Sequence, residues 1–107
     1  MTQKRTHDKP PGQASSDPLS ADFVRYAQSG DLSGLASVFD ASGPSLLRVA
    51  RRMLRDQSSA EAVVQETFMA AIKSADQFDP ARAVGPWLMG ILVHRVRSEQ
   101  RRQGRRD

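Results

Sequence analysis

Between Gly90 and Arg101 the chain reads GILVHRVRSEQR, and Gly90, His94, Arg97 and Arg101 recur at intervals of three and four residues. On a helix that spacing gathers a small residue, an imidazole and two guanidiniums on one face. Such a face suits a polyanion: guanidiniums fork onto phosphate or carboxylate oxygens, and imidazole donates to a base edge or a phosphate. Trp87, Leu88, Ile91, Leu92 and Val96 make an apolar stripe on the other side of the same segment, so one helix serves both a core and a ligand. The turn-rich run Asp79-Pro80-Ala81-Arg82 precedes it, and Pro86 stands near its first turn, where a missing N–H costs nothing.

Charge agrees with this placement. The net charge is +4, and residues 95–107 hold six arginines against Glu99 and Asp107, so this end carries the whole imbalance. An uneven basic charge favours an anionic partner, nucleic acid or an acidic membrane face, over a solvated end that only aids solubility. Chemistry beyond binding is missing. His7 and His94 are the only histidines, and there is no H-E-x-x-H, no glycine-rich phosphate loop and no Ser/His/Asp spacing that invites a triad. Glu61 and Glu66 are a surface carboxylate pair, weak support for acid–base work. With no cysteine there is no disulfide or thiolate metal site. Neither an enzyme nor a cofactor or metal is expected. The longest apolar run, Trp87–Val93, is too short to span a bilayer, and the N-terminus has no apolar signal core. A soluble cytoplasmic protein is expected.

The elements that must hold the binding helix follow from caps and periodicity. Residues 1–16, with Pro10-Pro11-Gly12 and no apolar pattern, read as a disordered tail. Asp17-Pro18 opens a short helix to about Ser29, with Phe23, Val24 and Ala27 inward and Gly30 as its stop. Asp31 caps the next helix, whose stripe is Leu35, Val38 and Phe39, then Leu46, Leu47, Val49, Ala50, Met53 and Leu54; Gly43-Pro44 is expected to kink or interrupt it. Arg48, Arg51, Arg52 and Arg55 form a basic ridge there, read as a solvated face in preference to a nucleic-acid contact. Ser58-Ser59-Ala60-Glu61 reads as a capping box starting a helix that runs to about Ala75, with Val64, Phe68, Ala71 and Ala75 inward and Gln65, Glu66, Met69 and Lys73 outward. A loop over 76–83 leads into the last helix, from about Gly85 to Gln100, fraying into Arg101–Asp107. No segment alternates like a strand. The fold class is all-α, a compact bundle of about four helices, with the domain at 17–102 and a basic tail at 103–107.

Three motifs stand in fixed order: Ala60-Glu61-Ala62-Val63-Val64-Gln65-Glu66-Thr67-Phe68, then Phe78-Asp79-Pro80, then Pro86-Trp87-Leu88-Met89-Gly90-Ile91 leading into arginines. Leu46-Leu47-Arg48-Val49-Ala50-Arg51-Arg52-Met53-Leu54-Arg55-Asp56 lies upstream. Together they resemble region 2 of the extracytoplasmic-function (ECF) sigma factors of bacterial RNA polymerase, over roughly Asp22 to Arg102. The resemblance implies two jobs. The helix bearing V-V-Q-E-T-F would dock on a coiled-coil hairpin of the polymerase's largest subunit through Gln65 and Glu66, with Met69 and Ile72 nearby. The loop Asp79, Pro80, Ala81, Arg82, Ala83 and Val84 would capture a base flipped from the non-template strand of the promoter −10 element, with His94, Arg97 and Arg101 tracking that strand. Trp87 would either support the base pocket or anchor the core.

The sequence departs from the family where Ala62 replaces a usual acid, where His94 replaces a common asparagine, and where Ser98 replaces an Asp. Family members also carry a second helical domain that reads the −35 element; nothing follows Asp107, and the chain is expected to be a fragment. Two functions are therefore carried forward: a promoter-melting sigma domain, and a helical interaction module that binds polymerase or an anti-sigma factor without reading DNA.

Overall fold

The computed structural model describes residues 17–106. The expected tail at 1–16 lies outside the described residues. Helix α1 spans Pro18–Ser29, α2 Leu32–Met53, α3 Gln57–Lys73 and α4 Val84–Arg106, with one 3₁₀ turn at Ala75–Gln77. There is no strand among the described residues, and none of their helices is long and apolar enough to cross a membrane.

Local chemistry sets most boundaries. Asp17 Oδ1 accepts the Leu19 N–H at 3.1 Å and so caps α1, with Pro18 in its first turn. Gly30 ends α1 at φ 77°, a left-handed conformation that favours glycine. Asp31 caps α2 by accepting from the Ser33 N–H at 3.0 Å and the Ser33 hydroxyl at 2.7 Å. Those bonds, the hydroxyl first, and the Arg25 guanidinium hold its carboxyl below the usual range.

Three expectations are corrected. Pro44 does not interrupt α2, which runs unbroken from Leu32 to Met53. Val38 on one side of the proline and Leu46 and Ala50 on the other are all buried, so both halves of the helix pack on the core. The cap of α3 is Asp56, not Ser58. Its carboxylate accepts the Ser59 N–H and the Ser58 hydroxyl, each at 2.9 Å, and sits below its ordinary pKa for that reason. Glu61 instead accepts from Gln57 Nε2 at 2.9 Å. Nor does α4 fray after Gln100. Gln100 Nε2 donates to the Met53 carbonyl at 2.9 Å and Gln103 Nε2 to Ser59 Oγ at 3.1 Å, tying this stretch to α2 and α3. Glu99 also accepts from Arg102 at 2.6 Å.

The four helices pack so that α1 and α2 form an antiparallel pair closed tightly at Gly34, where a Cβ would collide with the Asp22 carbonyl oxygen. Phe39 of α2 stacks on Phe68 of α3, ring centroids 3.9 Å apart. Val84, Leu88, Leu92 and Val96 bury one face of α4 in the core completely, together with Phe23, Val38, Ala50, Ala60 and Ala71. Each such Leu or Val contributes about 1.5–3 kcal/mol over its exposed state, so the opposite face of α4 is held rigid without help from a ligand.

Candidate nucleic-acid and protein interfaces

The loop between α3 and α4 is pinned at both ends. At its start, Phe78 is buried and meets Phe23 edge-on, centroids 5.3 Å apart, and Trp87 at 4.9 Å. Phe23 and Trp87 are themselves 5.4 Å apart, so three rings from α1, the loop and α4 close one cluster. Contacts of this kind contribute about 0.5–1.5 kcal/mol beyond area burial. Trp87, half-buried, thus serves as a core anchor beneath the loop.

At the loop's end, the Val84 N–H donates to Ser20 Oγ at 2.8 Å, and the Ser20 hydroxyl donates to Asp17 Oδ2 at 2.9 Å. The first N–H groups of a helix have no partner within it. Here α1 supplies one from 64 residues away. Ser20 and Val84 are both fully buried. The side chain of Val84 therefore belongs to the core and not to the loop surface on which it was grouped with Asp79–Ala83.

Between these anchors the tip is turned by its own side chain. Asp79 Oδ1 accepts the Ala81 N–H at 2.9 Å, and the Asp79 carbonyl accepts the Arg82 N–H at 3.0 Å. The Arg82 guanidinium lies 3.8 Å from the Asp79 carboxylate with both groups open to solvent. An exposed pair of this kind is worth about 0–1 kcal/mol, so Arg82 can exchange it for a phosphate at little cost. Asp79, Ala81 and Arg82 are exposed; Pro80 and Ala83 are half-buried.

Beyond the loop, Gly90, His94, Arg97 and Arg101 are all exposed on α4. The Arg101 guanidinium donates to Ser98 Oγ at 3.2 Å, a bond within the helix that leaves the group facing solvent. Gly90 adds open surface, since a Cβ there would meet nothing within 4 Å. The loop tip and the cationic face of α4 are thus both open to solvent, while Val84 is buried in the core and Trp87 is packed against it.

The second surface is on α3. Gln65, Glu66, Met69 and Ile72 are exposed there, Met69 at 57% and Ile72 at 41%. They are two of only three large hydrophobics exposed among the described residues. The opposite side of α3 buries Ala60, Val63, Val64, Thr67 and Ala71, with the Thr67 hydroxyl bonded to the Val63 carbonyl at 2.8 Å. Ala62 is exposed one turn before Gln65 and Glu66, so its missing carboxylate falls on the same surface.

Arg95 of α4, which the motif reading did not single out, lines a cleft of about 120 Å³ with Glu66, Met69 and Lys73. Ser20 and Phe78, also unforeseen as site residues, fix the loop; neither carries a local signal, because both partners lie far off in sequence. Among the described residues no group of His, Asp or Glu could hold a metal.

Residues 38–106 match the model of the sigma-70 region 2 family. The chain is 31% identical over 79 residues to the RNA polymerase sigma factor NccH of Alcaligenes xylosoxydans xylosoxydans, which covers 74% of this chain and 42% of that protein. It is 32% identical over 83 residues to the RNA polymerase sigma factor CnrH of Cupriavidus metallidurans, covering 76% and 44%. It is 32% identical over 66 residues to the RNA polymerase sigma factor CarQ of Myxococcus xanthus, covering 62% and 38%. The chain spans about two fifths of the length of the curated relatives it matches. No solved structure matches it.

Proposed function

The chain belongs to the sigma-70 region 2 family, and from that premise we propose that it docks on core RNA polymerase and opens the promoter −10 element in the cytoplasm. The observation that carries the reading is the division of α4 into a fully buried face and an exposed face of His94, Arg97 and Arg101 that begins at an anchored loop. Flipping a base out of a duplex costs a few kcal/mol. A loop already fixed by the three-ring cluster and the Ser20–Val84 bond has little ordering entropy left to lose when it takes up that base. The exposed guanidiniums then neutralise the phosphates of the unpaired strand, and the Arg82 guanidinium is available to the base or its phosphate. Docking belongs to α3: Gln65 and Glu66 supply polar contacts, and Met69 and Ile72 supply apolar area that is otherwise left in water.

Binding of the chain to a labelled −10 non-template single strand, to an unrelated single strand and to fully paired duplex tests the DNA half. The −10 strand is expected to bind most tightly and to weaken with salt. Arg97→Ala/Arg101→Ala should reduce the log–log salt slope by roughly 1.4, at about 0.7 per phosphate contact for a single strand. Equal affinity for all three probes, or an unchanged slope in the variant, would contradict the reading.

A further inference from the structure

The arginine ridge of α2 has no role in the two surfaces described so far. Arg48, Arg51 and Arg52 are exposed, and none of the three makes an ion pair or a hydrogen bond among the described residues. Arg51 and Arg52 stand in the last turn of α2, where a cation is favoured by the helix dipole. Arg48 lies a turn earlier and has no such reason. The three lie on one face of α2, spanning about 6 Å at 1.5 Å per residue, and Arg55 follows just past the end of the helix. No acidic residue occurs between Asp40 and Asp56, so no acid on this half of α2 offsets Arg48, Arg51 and Arg52.

The ridge is joined to the α4 surface. Leu46 of α2 and Met89 of α4 line one cleft, and farther along the Met53 carbonyl accepts from Gln100 Nε2. The two helices therefore run parallel, with their C-terminal halves side by side. Arg55 shares a cleft of about 220 Å³ with Gln100, Gln103 and Gly104. Beyond it, Arg101 and Arg105 continue the positive charge on α4, while Arg102 is paired with Glu99. The acids Asp22, Asp31, Asp76 and Asp79 lie in α1, at the start of α2 and around the loop, while at the far end Asp56 is engaged in capping α3 and Glu99 with Arg102. The C-terminal halves of α2 and α4 thus keep an excess of exposed arginines.

We propose that Arg48, Arg51 and Arg52 are a phosphate rail for double-stranded DNA, continuous with the α4 face and holding the paired segment next to the strand that α4 keeps open. The inference rests on the promoter-opening reading of α4. A duplex presents one charge per 1.7 Å of axis, twice the density of a single strand, and so belongs at the end where both helices contribute arginines. Along one strand, about 6 Å is roughly two phosphate steps of 3.4 Å, the span of three phosphates for three guanidiniums. Arginine supplies the planar fork that phosphate oxygens accept. Pro44 and Leu47 border the ridge in a cleft of about 430 Å³. That apolar border is the feature an acidic amphipathic peptide would use, and the test separates the two.

Three probes are measured against the chain by fluorescence anisotropy across a salt series: a −10 single strand, the same strand with a duplex arm, and the arm alone. The forked probe is expected to bind more tightly than the single strand. Arg48→Ala/Arg51→Ala/Arg52→Ala should lower the salt slope on the forked probe and on the arm by roughly 2–3, at about 0.9 per phosphate contact. The same variant should leave single-strand binding within about twofold. Far-UV circular dichroism of the variant checks that the exposed substitutions leave the helices intact. An unchanged slope on the forked probe, an equal loss on all three probes, or no preference of the unmodified chain for the fork would overturn the rail. So would displacement of a bound polyglutamate probe by the variant changes with forked DNA unaffected. The arm alone makes failure of the rail distinguishable from failure of the α4 reading: Arg97→Ala/Arg101→Ala tests the single strand, and the α2 variant tests the duplex.

Discussion

Ser20→Ala removes one hydroxyl and, on the present account, loosens the base of the DNA-facing loop. Ser20 is fully buried, and its oxygen is the partner of the buried Val84 N–H at 2.8 Å. Alanine fits the space but leaves that N–H without an acceptor at the start of α4, where no bond within the helix can replace it. Leaving a buried donor unpaired costs about 1–3 kcal/mol. The second bond lost, from the Ser20 hydroxyl to Asp17, is partly buried, and the carboxylate can turn to water instead. The expected loss is therefore that of the orphaned donor. For a domain of this size 1 kcal/mol moves Tm by roughly 4–8 °C, so a cost of about 1–3 kcal/mol should lower Tm by about 4–24 °C. Thermal melting followed by circular dichroism measures it, and hydrogen exchange at the Val84 amide localises it. Ser29→Ala is the control, since its hydroxyl only bonds back to the Arg25 carbonyl at an exposed site, and should stay within about 0.5 kcal/mol. A Ser20→Ala protein with unchanged Tm and a Val84 amide still protected would refute the reasoning.

Two glycines should respond in opposite directions. Gly34→Ala would force α1 and α2 apart at the Asp22 carbonyl and should cost about 1–3 kcal/mol, whereas Gly90→Ala puts its methyl in open space on a helix and should gain about 0.5–1 kcal/mol; chemical denaturation midpoints read both. Stability should also fall in acid. Asp31 and Asp56 have folded-state pKa values below their ordinary 3.8, so their contribution is fully present above that value and is lost as pH falls through the lower folded value. Asp56→Asn keeps the cap's acceptor and should flatten part of this decline below pH 3.8 in a titration of helix content.

The sequence made legible what depends on neighbours. Asp17, Gly30 and Asp31 act within two to four residues, and each is found where cap chemistry places it. The stripes were readable for the same reason, and with them the exposure of Gln65, Glu66 and Met69 and of His94, Arg97 and Arg101. The start of α3 is ambiguous in the sequence because Asp56, Ser58 and Ser59 can all cap. The carboxylate prevails since it accepts from both Ser59 and Ser58, whereas a serine hydroxyl at 58 gains more by donating to it. The continuity of α2 through Pro44 and the full length of α4 were hidden because tertiary contacts decide them: Leu46 and Ala50 in the core, and Gln100 and Gln103 on neighbouring helices. The Ser20–Val84 bond spans 64 residues and leaves no periodic trace.

The central claim is that this domain docks on core RNA polymerase through α3. Its most direct test is binding of the chain to the isolated coiled-coil hairpin of the polymerase's largest subunit, beside Gln65→Ala/Glu66→Ala. Both substitutions fall on exposed helical positions, so the variant should melt like the parent. The account predicts that the parent binds and that the variant loses at least about tenfold in affinity, roughly 1.4 kcal/mol. A parent chain that does not bind the hairpin, or a folded variant that binds it equally well, would contradict it.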